Sequence, residues 1–140
     1  MKLDVYYPTL SSDRLPLRPV VVMVHGGGFI AWDKENFKEV CKEFAKRGFI
    51  AVTINYRLSL NCRTDSISEE KAKYRAQQDV NAAFRFVVQN ATSLRANTAW
   101  MFIGDASVYC LKIVRHDLFR NRKKESRAFV RFGFNPYFSA

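Results

Sequence analysis

Apolar positions along the first hundred residues fall into blocks that alternate between the period of a strand and the period of a helix. Leu3 to Tyr7 alternates apolar and polar side chains and predicts an outer strand. Leu10 to Pro19, rich in Ser, Pro and charge, reads as a loop, and the unbroken run Val20 to Val24 predicts a strand covered on both faces. Asp33 is placed to cap a helix whose apolar positions Phe37, Val40, Cys41, Phe44 and Ala45 recur at i, i+3, i+4, i+7 and i+8, and Gly48 sits where a helix-ending glycine belongs. Phe49 to Asn55 predicts the next strand. After a polar loop from Ser59 to Ser68, a longer helix begins near Glu69, with a stripe of Ala76, Val80, Ala83, Val87 and Ala91 widened by Phe84 and Val88. Asn90 to Ser93 ends it, and Trp100 to Gly104 predicts a short buried strand. Strand and helix in alternation predict an α/β fold of three layers, α/β/α, around a mostly parallel sheet.

Composition narrows the picture. With 140 residues and 48% hydrophobic content, the chain can bury one core. Cys41, Cys62 and Cys110 form no CxxC pair and no metal-ligand spacing, so they read as small buried hydrophobes, free thiols in a reducing, cytoplasmic setting. No apolar run approaches the roughly 20 residues of a membrane span, and the N-terminus lacks a signal-peptide core.

Charge divides the chain into residues 1–107 and a basic tail, 108–140. The tail holds eight Lys/Arg against two Asp/Glu, a large share of the net charge of +10. Arg120-Asn121-Arg122-Lys123-Lys124 could bind nucleic acid or an anionic surface, although such a block is more often a solvated end. Within the tail, Val108 to Val114 could form a short helix, and Phe132 to Phe138 suits a docked tail more than a strand.

The candidate chemistry lies where the strand at Val20 runs into His25-Gly26-Gly27-Gly28-Phe29. Glycines let a main chain approach a ligand closely, and amides aimed into a cleft stabilise the oxygen that becomes negative when an acyl carbonyl is attacked. A phosphate loop, or a plain glycine-rich turn of an α/β protein, gives the same local pattern. Ser107 lies just past the strand ending at Gly104. Ligands of open α/β sheets bind at the carboxyl ends of the strands, so both segments are expected on one rim.

Four features resemble the α/β-hydrolase esterases, in particular the carboxylesterase and hormone-sensitive-lipase-like branches. In chain order they are His25 to Phe29, Ile54-Asn55-Tyr56-Arg57-Leu58, the helix pattern Asp79 to Arg85 running on to Asn90-Ala91, and Phe102-Ile103-Gly104 leading to a serine. The resemblance covers about three quarters of the chain. It implies hydrolysis of a small carboxylic ester by a serine nucleophile with a histidine base and an acidic partner, without metal or cofactor. Carried over by position, Ser107 is the nucleophile, Gly27 and Gly28 supply oxyanion amides, and the Val108 N–H is the second contributor. His25 and Gly26 organise the turn, because that family's base follows its nucleophile in the chain.

The chain also departs from that pattern. The elbow should read G-x-S-x-G, but Asp105 and Tyr109 flank Ser107 where the glycines belong; Gly104-Asp105-Ala106-Ser107 can be aligned as an elbow with one residue inserted, still without the second glycine. Only 33 residues follow Ser107, with His116, Asp117 and Glu125 as the later histidine and acids. His116 would stand on the helix directly behind the nucleophile, poorly placed to reach back over the hydroxyl. The expectation is an incomplete α/β-hydrolase fold truncated near the elbow, through a gene-model or reading-frame change, and weak or inactive alone. A sheet halted there leaves an open edge, so self-association is expected. The alternative is a non-catalytic binding or interaction module using that edge or the basic tail.

Overall fold

The computed structural model describes residues 2–8, 15–59 and 65–105, and the backbone of residues 131–133. Five strands form one sheet: β1 (Lys2–Tyr6), β2 (Arg18–Val24), β3 (Ile50–Asn55), β4 (Ala96–Asp105) and β5 (Arg131–Gly133). Their spatial order is β1-β3-β2-β4-β5. β1 runs antiparallel to β3, and every other neighbouring pair is parallel. The central strand, β2, is the β-branched run, and its residues from Val20 to Val24 are all buried.

Helices cover both faces. A 3-10 turn, Lys34–Phe37, continues into α1 (Lys38–Lys46); α2 (Ser66–Gln89) and the single turn α3 (Ala91–Leu94) connect β3 to β4. Val21, Met23 and Ala51 pack with Phe37 and Cys41 on the α1 side. Val20, Val22, Val24, Val52 and Ile54 pack with Ala72, Ala76, Val80, Ala83 and Val87 on the α2 side. Alternate residues of one strand thus serve opposite layers, as the pleat requires. The layering follows from the strand order, because the crossover from β2 to β3 and the one from β3 to β4 run in opposite directions across the sheet. Crossovers of one hand that reverse direction put their helices on opposite faces. The reversal falls between β2 and β4, and the carboxyl ends of these two strands are where an open α/β sheet is expected to bind a ligand.

Several boundaries differ from those read in the sequence, each for a local reason. β2 begins at Arg18, and the loop expected through Pro19 ends earlier. Proline cannot donate to the ladder, and the β2–β4 register shifts between Arg18 and Val20. β4 begins at Ala96 instead of Trp100; its first half is buried only at Ala96, half-buried or exposed beyond it, and holds no apolar run. α2 begins at Ser66, three residues before Glu69, because the Asp65 carboxylate accepts from the Ser68 amide (2.8 Å) and caps a polar first turn. Its stripe ends before Ala91, which belongs to α3.

Two expected caps are present. The Asp33 side chain accepts from the Glu35 amide, and Gly48, at φ +91°, follows the C-cap of α1 with its amide on the Ala45 carbonyl (2.9 Å). The tail expectation is corrected at one point: of Phe132 to Phe138, read as suiting a docked tail more than a strand, Phe132 and Gly133 join Arg131 in pairing parallel to β4, with Arg131 opposite Ile103 and Gly133 opposite Asp105. Hydrogen bonding to an existing strand edge overrides the weak local preference of a glycine-punctuated segment. The described helices include none long and apolar enough to cross a membrane.

Candidate functional site

β2 ends at Val24, and the chain turns through His25-Gly26-Gly27-Gly28-Phe29 at the carboxyl rim of the sheet. The turn is built on left-handed backbone, with φ of +96° at Gly27, +60° at Gly28 and +65° at Phe29. It closes on itself, the amides of Ile30 and Ala31 donating to the Gly27 carbonyl (3.1 and 3.2 Å). At Gly27 no side chain fits. A Cβ there would be driven into the Ala31 carbonyl group, 2.7 Å from its carbon and closer to its oxygen. Gly28 has open space around the same position. The amides of Gly27 and Gly28 make no hydrogen bond to another described residue, which leaves them available to a ligand.

The turn rests on buried aromatic rings. His25 is buried and stacks on Tyr56, with centroids 4.2 Å apart and planes 15° from parallel. Its Nδ1 donates to the Gly26 carbonyl (2.8 Å), which also accepts from the Tyr56 hydroxyl (2.8 Å). A carbonyl only accepts, so this bond fixes the tautomer with hydrogen on Nδ1 and leaves Nε2 as the acceptor. Nε2 is buried and has no partner among the described residues. Burial pushes the imidazole pKa below its ordinary value, against the opposing pull of the Gly26 bond, and favours the neutral ring. Phe29 packs edge-on against the opposite part of this cluster, 6.0 Å from Tyr56.

The residue after Tyr56 is anchored to α2. The Arg57 amide and Nε both donate to the Asp79 carboxylate on α2 (2.8 and 3.0 Å), and the Arg57 guanidinium also reaches Gln78 Oε1 (3.1 Å). The Ser59 amide donates to the Phe29 carbonyl (3.1 Å), tying the loop after β3 to the glycine turn. Tyr56, Arg57 and Asp79 entered the sequence reading only as part of a resemblance, without a role. A signal was present: Asp79 falls on the buried stripe of α2 beside Ala76, Val80 and Ala83, and a carboxylate on an apolar face needs a partner from another element.

β4 ends at the same rim. Met23 lies opposite Gly104 and Val24 opposite Asp105, so these adjacent parallel strands leave the sheet side by side. A Cβ at Gly104 would meet the end of the Met23 side chain, 2.5 Å from its sulfur, and Met23 would have to shift. Asp105 is buried. Ser107 and Val108 lie outside the described residues, as does His116.

Comparison with known proteins agrees with this arrangement. Residues 3–107 match the BD-FAE family. The apo form of esterase 2 from Thermogutta terrifontis superposes with a TM-score of 0.61 at 25% identity, over 76% of this chain and 37% of that one. A propionate-bound structure of the Thermogutta terrifontis thermophilic esterase Est2 gives a TM-score of 0.60, again at 25% identity, over 75% and 36%. Among curated proteins, the non-reducing polyketide synthase nvfA of Aspergillus novofumigatus is 33% identical over 67 residues, 47% of this chain and 3% of the synthase. The neuroligin-like protein glit-1 of Caenorhabditis elegans is 31% identical over 88 residues, 63% of this chain and 12% of its own. The chain spans little more than a third of the esterases and a small fraction of these curated relatives.

Proposed function

The chain belongs to the BD-FAE family, whose fold here is α/β-hydrolase-like, and from that premise we propose that it is a carboxylic-ester hydrolase of the serine type. The observation that supports the reading is the β2–β4 register, which ends the two strands side by side, with Val24, just before the glycine turn, opposite Asp105. In this proposal the Ser107 Oγ attacks the ester carbonyl carbon and its proton passes to a base. The carbonyl oxygen, now negative, sits against the amides of Gly27 and Gly28, joined by that of Val108. The C–O bond to the alcohol breaks, the alcohol leaves with a proton, and water then releases the acid from Ser107. His25 contributes by position: its ring and Tyr56 hold the Gly26 carbonyl and thereby set the direction of the next amides. The reaction as drawn uses no metal or cofactor.

The test is hydrolysis of 4-nitrophenyl acetate by the intact chain and by Ser107→Ala. The wild type is expected to be weak but at least about tenfold faster than the variant, since loss of a nucleophile removes transition-state stabilisation that binding alone cannot replace. Equal rates reject the reading.

A second reading is a non-catalytic interaction module; the edge expected to stand open where the sheet halts is paired, with residues 131–133 along β4, and the outer edge of β1, which pairs with β3 and with no other described strand, is what remains to support it. Self-association through that edge, or nucleic-acid binding through the basic residues after 107, would be its form; the latter should weaken steeply with salt. The division into a hydrolase-like unit, 1–107, and a basic segment, 108–140, belongs to the same proposal. So does a cytoplasmic location, supported by the odd count of three cysteines without a CxxC pair.

A further inference from the structure

The backbone at Trp32 is a second anomaly of the rim. Its φ is +73°, a left-handed conformation that a bulky side chain rarely adopts and that glycine would take without cost. Strain of this kind persists where the surroundings impose it, and it concentrates at ligand sites. The indole is not retained for the core, because Trp32 is 53% exposed. It stands beside the candidate oxyanion turn: the Trp32 Cβ is 3.2 Å from the place where a Gly27 Cβ would be. Two further apolar side chains are exposed on the same pair of loops, Ile30 at 46% and Leu58 at 41%. The Ser59–Phe29 bond joins those loops next to both residues.

We propose that Trp32, with Ile30 and Leu58, forms the wall that receives the apolar, uncharged half of the ester beside the Gly27 and Gly28 amides. The proposal rests on the hydrolase reading and adds to it a residue that selects substrate. A flat indole offers contact area with few rotamers to freeze, and exposed apolar side chains gain when a ligand removes them from water. Left-handed backbone at position 32 also makes Trp32→Gly an informative variant, because glycine is the residue this φ favours and the turn is retained.

The experiment titrates the 15N-labelled chain with ethyl butyrate and follows the indole Nε1–H resonances of its two tryptophans, assigned with Trp100→Phe. Trp100 sits five residues before the end of β4, about 16 Å from the rim. A saturable shift at Trp32 with Trp100 unmoved is expected. Saturation-transfer signals of ethyl butyrate should persist in Trp32→Phe and fall at least about fivefold in Trp32→Gly. Equal movement of both resonances, no movement at Trp32, or undiminished transfer in Trp32→Gly overturns the proposal. Hydrolysis of ethyl butyrate on the same samples separates the two claims. Binding at Trp32 with no more hydrolysis than Ser107→Ala leaves the wall and removes the hydrolase. Hydrolysis that needs Ser107 but keeps its KM in Trp32→Gly leaves the hydrolase and removes the wall.

Discussion

Gly27→Ala is expected to destabilise the protein by about 4 kcal/mol, while Gly28→Ala costs about 1 kcal/mol. Both glycines have positive φ, so each alanine meets the same left-handed penalty of about 1–2 kcal/mol. Only at Gly27 does the new methyl collide with backbone, the Ala31 carbonyl, which the turn cannot release without giving up its bonds from Ile30 and Ala31. A domain of this size is stabilised by roughly 5–15 kcal/mol, so the loss is a large fraction of the total. Urea midpoints of the two variants against the parent chain check the contrast. Two equal, small shifts would mean that the turn is not built as described.

Tyr56→Ala should cost about 3–5 kcal/mol, and Tyr56→Phe about 1 kcal/mol. The alanine variant empties a buried site under the glycine turn, removing the stack on His25, the edge contact with Phe29 and the bond to Gly26 together. The phenylalanine variant keeps both ring contacts and loses one hydroxyl donor, while the Gly26 carbonyl keeps its bond from His25. Thermal unfolding of the two variants separates packing from hydrogen bonding. If Tyr56→Phe costs as much as Tyr56→Ala, the hydroxyl bond and not the ring stack supports the turn.

The physics of local pattern explains how much of this was legible in the sequence. Buried strands between helices announce themselves by unbroken β-branched runs, and β2 is such a run. Asp33 and Gly48 mark the limits of a helical segment through backbone groups that neighbouring residues must satisfy. The first half of β4 is buried only at Ala96 and the first turn of α2 is mostly polar, so neither carries a hydrophobic period. Residues 131–133 pair with a strand far away in the chain, a non-local contact that no local window contains. At the site, the glycines of the turn were legible because a missing side chain is itself a sequence signal. Their support was not: Tyr56 and the Arg57–Asp79 pair act across loops and elements, and their roles depend on which residues the fold brings together. Trp32 was also silent, since a tryptophan gives no sign in the sequence that its backbone is left-handed.

The central claim is that the ends of β2 and β4 bring the glycine turn and Ser107 into one acyl-transfer site. Treating the intact chain with an alkyl fluorophosphonate and locating the adduct by peptide mass spectrometry tests it most directly. The serine oxygen displaces fluoride, and the phosphoryl oxygen takes the place of the oxyanion. The account predicts an adduct on Ser107 that disappears in Ser107→Ala. An adduct elsewhere in the chain, or none on Ser107, would contradict it.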